Sequence, residues 1–254
     1  MANKESTSRT IIVTLLLCVV CSVIVSTAAV VLKPIQQANK ALDFKRNILA
    51  AAGLLQEGVS IDEQFKAIKT QLVDFKTDKF TTEIDIASYD QKKASKDPAL
   101  STQLSADDDI AKIGSQENFS KVFLVEKDGV LNTIILPIKG YGLWSTLYGF
   151  VALAADTNTV VGLGFYEHGE TPGLGGEVDN PKWKTLWVGK EVYAADGSVA
   201  IKVVKGPAAK GSKHEVDGLS GATLTSRGVD NLIKFWMGKN GYGPFLTNLK
   251  NGEA

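Results

Sequence analysis

The sequence is most informative at "KVFLVEKDGVLNTIILPI", residues Lys121–Ile138, where two apolar, β-branched arms flank the dipeptide Asp128-Gly129. Asp-Gly is a strong signal for a two-residue turn between antiparallel strands. The segment therefore predicts a β-hairpin. A second hairpin is predicted at "YGFVALAADTNTVVGLGFYEH", Tyr148–His168, whose two apolar arms flank Asp156 to Thr159.

The residues after the hairpins predict a mixture of loop, strand and helix. "GETPGLGGEVDNP", Gly169–Pro181, breaks all periodicity with four glycines and two prolines and predicts a shaped loop. A helix over 181–188, a strand over 200–206 and a closing helix over 223–238 follow. Together these elements predict an α+β fold: a single N-terminal transmembrane helix, then a mostly antiparallel sheet flanked by helices.

The region before the first hairpin has weaker patterns. The spacing of Phe65, Ile68, Leu72 and Phe75 predicts a helix over Ile61–Phe75, with Asp62 at its start. Residues 76–121 are polar and patternless, which is typical of a linker, a short helix or an elaboration on a core. Their acidic run at 107–109 is expected to be a solvated cap.

The N-terminal segment Thr10–Leu32 contains 23 consecutive residues without a charge. At about 1.5 Å per residue such a helix can cross a hydrocarbon core of about 30 Å. A cleaved signal peptide is the alternative, but its apolar core is usually only about 7 to 15 residues long. We therefore expect a cytoplasmic N-terminus over 1–9, a transmembrane helix over 10–32, and a helical and irregular elaboration over 33–120. The remaining residues, 121–254, form the last domain.

Composition excludes several classes of function. The chain has 28 basic and 28 acidic residues, so its formal charge is zero and nucleic-acid binding is not expected. Both cysteines, Cys18 and Cys21, lie in the apolar segment, so we expect neither disulfides nor thiol chemistry in the rest of the chain. With only two histidines, a His-rich metal site is not expected either.

The stretch "DGLSGATLTSRG", Asp217–Gly228, combines hydroxyl residues and glycines just before an apolar, helix-like run. A helix start presents unpaired N–H groups and partial positive charge, which suit a phosphate. The alternative is that Ser or Thr here serves only as a helix N-cap. "GLGFYE" and "GLGGEV" lack the third glycine of a dinucleotide fingerprint, and no βαβ frame surrounds them.

Three blocks carry a family resemblance. "DGLSGAT", Asp217–Thr223, resembles the D-x-x-[ST]-G-A-T pattern at which a flavin transferase attaches FMN to the last threonine. "GYGLWS", Gly140–Ser145, and "ETPGLGGEV", Glu170–Val178, resemble the two other signature blocks of the FMN-binding domain family. The membrane anchor, the long insert before Lys121 and the "NPKWKTLWVGK" block resemble members that form the C subunit of Na⁺-translocating NADH:quinone reductases.

The resemblance implies roles for particular residues. Thr223 is the implied site of one covalent FMN, with Thr225 as the second candidate, and Asp217 belongs to the sequence that the transferase recognises. Trp144 and Leu174 are the implied walls of the flavin pocket, Glu170 and Thr171 its polar contacts, and Lys205 a cationic partner. The other residues expected near the cofactor are Ser220, which could also cap the helix, Gly221, Ala222, Leu224 and Gly175.

The resemblance also implies an assembly and a location. It implies an electron relay from NADH towards ubiquinone, with no substrate site of its own, in a six-subunit sodium-pumping complex. The flavin domain is expected on the periplasmic side of a bacterial inner membrane, although the charges flanking the helix do not decide its orientation. The alternatives are the G subunit of the Rnf electron-transport complex, which shares the flavin, and a cofactor-free membrane-anchored scaffold module.

Overall fold

The structure, a computed structural model, describes residues 6–254. The chain divides into two compact units, residues 1–44 and residues 45–254. Residues 1–5 of the expected cytoplasmic segment lie outside the described residues. The six α-helices of the described part are α1 Thr7–Ala51, α2 Ile61–Phe65, α3 Gln91–Ala94, α4 Pro181–Thr185, α5 Thr223–Met237 and α6 Gly243–Asn251.

The second unit is built around β-strands, most of which belong to one sheet. The strands are β1 Ile68–Asp74, β2 Lys79–Thr81, β3 Ser101–Gln103, β4 Ser115–Glu117, β5 Phe119–Lys127, β6 Val130–Tyr141, β7 Thr146–Ala154, β8 Val160–Glu167, β9 Lys202–Val203 and β10 Glu215–Val216. The main sheet has six strands, is antiparallel throughout and has the order β2-β1-β5-β6-β7-β8. Two further pairs are short: β3 with β4, and the parallel pair β9 with β10. The α+β prediction is confirmed.

The helix α1 is long and apolar enough to cross a membrane, with a mean hydropathy of 2.8 in its most apolar window. It continues through Pro34, past the predicted end of the transmembrane helix at residue 32, into the region predicted as a helical and irregular elaboration. Its last seven residues, Lys45–Ala51, belong to the second unit, where Ile48 and Leu49 are fully buried. The helix ends before Gly53, which adopts a φ of +68°.

Both predicted hairpins are confirmed, as β5 with β6 and β7 with β8. Asp128 and Gly129 both have positive φ, +53° and +76°, as the predicted turn requires. The predicted helix over Ile61–Phe75 is wrong beyond its first turn, because residues Ile68–Asp74 pair with β5 as strand β1. The expected start at Asp62 is also wrong, since Ser60 is the N-cap residue.

The remaining predicted elements differ mainly in length. The helix predicted over 181–188 ends at Thr185 as α4, and the strand predicted over 200–206 is reduced to Lys202–Val203. The closing helix is confirmed as α5, whereas α6 was not predicted. The helix α5 packs on β6, and the indole Nε1 of Trp236 donates to the carbonyl of Lys139 at 2.7 Å. This packing fixes the N-terminus of α5 beside the end of β6.

Candidate functional site

The hydroxyl of Thr223, in the first turn of α5, makes no hydrogen bond to any residue within 6–254. Thr223 is the first residue of the helix and is exposed, and the N-cap residue Ala222 has no side chain that could cap. The first intrahelical bond joins the N–H of Ser226 to the carbonyl of Ala222 at 3.0 Å. The backbone N–H groups of Thr223, Leu224 and Thr225 therefore precede the hydrogen-bonded ladder.

The hydroxyl of Thr225 is buried and already engaged. Thr225 is 1% exposed, and its Oγ1 donates to Oε2 of Glu170 at 2.7 Å. Ser226 is also buried: its Oγ accepts from the N–H of Leu219 at 2.9 Å and donates to the carbonyl of Ala222 at 3.0 Å. Of these three hydroxyls in the first turn of α5, only that of Thr223 faces solvent without a hydrogen bond to a described residue.

The segment before the helix is shaped by close backbone contacts. Gly221 has a φ of +73°, and a Cβ at this position would lie 3.1 Å from Cδ2 of Leu174. Gly218 donates its N–H to the carbonyl of Gly206, and a Cβ there would lie 2.3 Å from the carbonyl oxygen of Val204. Both glycines are therefore needed for the backbone path that leads to Thr223.

Asp217 fixes the neighbouring loops. Its Oδ1 accepts from the N–H of Ala208 at 2.8 Å, and its carbonyl accepts from the indole Nε1 of Trp183 at 2.8 Å. Ser220 is exposed and does not cap α5, so the expectation that it could cap is wrong. Lys205 is exposed and directly precedes Gly206, whose carbonyl accepts from the N–H of Gly218. Within residues 6–254 the side chain of Lys205 makes no ion pair.

Glu170 lies where the three sequence blocks meet. The residue is 5% exposed, and its carboxylate accepts from the backbone N–H groups of Leu143, Trp144 and Ser145 as well as from Thr225. Burial acts to raise the pKa of Glu170, but the hydrogen bonds from Thr225 and the three amides outweigh it and hold the pKa below its ordinary value. Glu170 is therefore a carboxylate at neutral pH.

Glycines make this convergence possible. A Cβ on Gly142 would lie 2.6 Å from Oε1 of Glu170, and one on Gly175 would lie 2.5 Å from Oγ1 of Thr225. A Cβ on Gly228, in α5, would lie 2.5 Å from the carbonyl oxygen of Tyr141. A side chain at any of these positions would push apart the backbones that surround Glu170.

Four large apolar side chains are exposed on the segments that are connected to the start of α5. Trp144 is 66% exposed and Leu224 52% exposed, and Leu143 and Leu174 are also solvent-accessible. The backbone of residues 143–145 is joined through Glu170 to Thr225, and Leu174 lies against Gly221. This cluster could cover one side of a planar, largely apolar ring system.

The other predicted pocket residues lie in the same loop as Glu170. Thr171 is exposed, and its carbonyl accepts from the N–H groups of Leu174 and Gly176, which folds the loop back on itself. Gly175 is buried and begins a short 3₁₀ helix over Gly175–Asp179. No group of histidine, cysteine, aspartate and glutamate side chains in the described chain is arranged to hold a metal ion.

Sequence reasoning missed several residues of the site. The close packing of Gly142 and Gly228 and the hydroxyl of Ser145, which accepts from the N–H of Gly169 at 2.6 Å, were not singled out. Gly142 and Ser145 lie within the recognised "GYGLWS" block, so that block carried a signal for them. Gly228 ends the quoted "DGLSGATLTSRG" stretch, but nothing in a single sequence shows which backbone it touches.

The fold and this site define the chain as a protein with an FMN-binding domain, since the FMN-binding domain family matches residues 142–238. The chain is 56% identical to the C subunit of Na(+)-translocating NADH-quinone reductase from Pseudomonas aeruginosa, a match that covers 100% of both chains. It is 49% identical to the protein of the same name from Vibrio anguillarum, over 99% of this chain and 98% of that one. The chain belongs to the family formed by the C subunits of Na(+)-translocating NADH-quinone reductases.

Solved structures agree with this assignment. The crystal structure of Shewanella oneidensis NqrC has a TM-score of 0.78 and 38% sequence identity, and the match covers 84% of this chain and 99% of that one. A crystal structure of the C subunit of Na(+)-translocating NADH-quinone reductase from Parabacteroides distasonis has a TM-score of 0.66 and 29% identity, over 85% of this chain and 97% of that one. The sequence-based resemblance to this family is confirmed.

Proposed function

We propose that this chain is a membrane-anchored electron-transfer subunit that carries one FMN, bound by a phosphoester to Thr223. The observation that carries the proposal is the contrast at the start of α5: Thr223 offers a free, exposed hydroxyl, whereas Thr225 is buried and bonded to Glu170. A transferase can reach the first hydroxyl but not the second. The exposed apolar cluster beside it suits a flavin ring.

The charges around Thr223 also suit the phosphate. A phosphodiester keeps one negative charge, and the unpaired N–H groups and positive dipole end of α5 stabilise an anion at this position. Lys205, whose loop is hydrogen-bonded to Gly218, supplies a cation near the same segment. In the attachment step Oγ1 of Thr223 gives its proton to a base of the transferase and bonds to the FMN phosphorus of a flavin dinucleotide donor, while the P–O bond of the donor's phosphoanhydride breaks and a nucleoside monophosphate departs.

When bound, FMN accepts and releases electrons, and the protein sets its potential and its distance from neighbouring carriers. Trp144, Leu143, Leu174 and Leu224 would exclude water from the ring, and Thr171 would present its exposed side chain at the rim. The relatives' name, NADH-quinone reductase, is the basis for placing the relay between NADH and ubiquinone in a sodium-translocating complex. The six-subunit assembly and the periplasmic side of a bacterial inner membrane belong to the same proposal.

Two alternatives compete with this proposal. The G subunit of the Rnf complex would carry the same flavin, but the whole-length identity of 56% to a C subunit of a Na(+)-translocating NADH-quinone reductase favours the first assignment. A cofactor-free scaffold would leave the exposed apolar cluster and the free hydroxyl without a purpose. It predicts a colourless protein.

The test is in-gel fluorescence of the full chain after denaturing electrophoresis, with the intact mass, from hosts with and without an active flavin transferase. We expect a fluorescent band and the mass of one added FMN residue only in the host that has the transferase.

The Asp217→Asn variant keeps an oxygen that can accept from Ala208 but loses the negative charge, and we expect it to be loaded more slowly. A dark wild-type band beside a control protein that the transferase does load would support the scaffold; full-rate loading of Asp217→Asn would refute recognition of this charge.

A further inference from the structure

We propose that Glu170 is a positioning residue, which holds Trp144 and the first turn of α5 in the relation that a flavin on Thr223 requires. This inference rests on the proposed FMN site, but it assigns Glu170 a role other than contact with the cofactor. Glu170 is 5% exposed, and its carboxylate accepts hydrogen bonds from four donors of the protein itself. It would act on the flavin only through the residues that it binds.

The hydrogen bonds of Glu170 join two segments that are distant in the sequence. Oε1 accepts from the N–H groups of Leu143 at 3.1 Å, Trp144 at 2.9 Å and Ser145 at 3.3 Å. Oε2 accepts from Oγ1 of Thr225 at 2.7 Å. Three successive amides that converge on one oxygen form an anion-binding concavity, and here the anion is supplied by the chain. The carboxylate thus connects the loop of Trp144 directly to the helix of Thr223.

The surroundings of Glu170 allow little adjustment. Gly142 and Gly175 pack against the carboxylate so closely that a Cβ on either would lie within 2.7 Å of one of its oxygens. A second tie joins the same segments, because the N–H of Gly169 donates to Oγ of Ser145 at 2.6 Å. The N–H of Glu170 itself donates to Nδ1 of His168 at 3.2 Å. The loop is therefore fixed by protein contacts before any cofactor arrives.

This arrangement explains how an indole that is 66% exposed can still serve as a pocket wall. The backbone of Trp144 is anchored by Glu170, so its side chain starts from a fixed point that Glu170 joins to Thr225 in the first turn of α5. Ordering a loop in advance reduces the conformational entropy that ligand binding would otherwise lose. The geometry therefore predicts that the pocket is already formed in the flavin-free protein.

The first test uses the flavin-free full chain in detergent micelles, from a host without the transferase. Trp144 is the most exposed of the four tryptophans, since Trp183, Trp187 and Trp236 are buried, so iodide-quenchable emission reports on it. Time-resolved anisotropy of that emission measures how freely the indole moves. The part of the emission that disappears in Trp144→Phe is the part that comes from Trp144.

The variants are Glu170→Ala, which removes the carboxylate, and Glu170→Gln, which retains an accepting oxygen and the shape of the side chain. The control is Glu167→Ala, a change at an exposed carboxylate in the same segment.

We expect the amplitude of fast indole motion to rise at least about twofold in Glu170→Ala, because the hydrogen bonds from three backbone amides are lost. It should stay near the wild-type value in Glu170→Gln and Glu167→Ala. Wild-type anisotropy in a Glu170→Ala protein that is folded by circular dichroism would overturn the proposal. If Glu170→Ala does not fold, Thr225→Val removes one bond at constant shape and Thr225→Ser restores it. Equal indole motion in those two variants would overturn the proposal as well.

The second test measures the rate of flavin loading by the transferase. We expect Glu170→Ala to load about tenfold more slowly than wild type, as the loss of hydrogen bonds to a charged group would predict, with Glu170→Gln close to wild type. Full-rate loading of Glu170→Ala would refute a positioning role. Failure of the wild type to load at all would instead refute the proposed function, and the anisotropy result would remain valid on its own.

Discussion

Thr223 and Thr225 lie two residues apart in one turn of α5, yet their hydroxyls have opposite environments. Thr223 is exposed, and its hydroxyl has no hydrogen-bond partner in the described part of the chain. Thr225 is 1% exposed, and its hydroxyl donates to Glu170. The sequence alone left both as candidates, because the residue type and the distance from the helix start are nearly the same. Burial separates them, and burial depends on which side of the helix faces Glu170.

The carboxylate of Glu170 predicts a pH dependence of stability. Its pKa is lowered on folding, so its stabilising contribution is present above the pKa of the unfolded chain and is lost as the pH falls through the folded value. At pH 7 we expect Glu170→Gln to unfold with a free energy about 1 to 3 kcal/mol lower than wild type, since charge-assisted bonds are replaced by neutral ones. The difference should shrink as the pH falls from the unfolded pKa of Glu170 through its lower folded pKa, because the wild-type carboxyl then becomes protonated too.

Denaturant unfolding of the full chain in detergent, followed by circular dichroism between pH 3 and pH 7, checks this expectation. Glu167→Ala serves as the control, because an exposed surface ion pair with Lys92 contributes little. A Glu170→Gln difference that grows as the pH falls would contradict a lowered pKa for Glu170 in the folded chain.

At the scale of secondary-structure elements, local signals were sufficient for the hairpins but not for the edge of the sheet. The β5–β6 turn is formed by Asp128-Gly129. These residue types favour the positive φ angles that a two-residue hairpin turn requires, so the turn could be predicted locally. Strand β1 was mistaken for helix because Ile68 and Leu72 fit both periods, and its pairing with β5 lies about fifty residues away. The contacts of Glu170 could not be predicted for the same reason, since its partners are 25 to 27 and 55 residues distant.

Two glycines of β8 provide a matched pair for testing how α1 ends on the sheet. A Cβ on Gly162 would lie 2.3 Å from the carbonyl oxygen of Ala51, whereas one on Gly164 would approach only the Nζ of Lys184, at 4.0 Å. We expect Gly162→Ala to lower the free energy of unfolding by about 1 to 3 kcal/mol, because the end of the helix must shift. Gly164→Ala should change it by less than about 0.5 kcal/mol. Equal effects of the two substitutions in denaturant unfolding would contradict the close contact with Ala51.

At the scale of the whole molecule, the amino-acid sequence predicts the anchor more firmly than its orientation. Length and the absence of charge over Thr10–Leu32 identify a helix that can cross a membrane, and α1 fits that expectation. Basic residues flank the segment on both sides, so the positive-inside rule gives no direction. The periplasmic position of the flavin domain remains a proposal.

Cysteine labelling in intact cells tests that orientation. In a chain whose Cys18 and Cys21 are changed to serine, Ala195→Cys places a thiol at an exposed position of the second unit, and Ser6→Cys places one before the apolar segment. We expect a membrane-impermeant maleimide to label Ala195→Cys in cells whose outer membrane is permeabilised. Ser6→Cys should be labelled only after the inner membrane is broken. The reverse pattern would place the flavin domain in the cytoplasm.

The most direct measurement of the central claim is mass spectrometry of the tryptic peptide His214–Arg227 from protein made with an active transferase. This peptide contains all four hydroxyl candidates, Ser220, Thr223, Thr225 and Ser226. We predict that the mass of one FMN residue is added to it, that fragmentation places the mass on Thr223, and that the addition is absent from Thr223→Ala. Flavin on Thr225 or on either serine, or an unmodified peptide from a host whose transferase loads a control protein, would contradict the account.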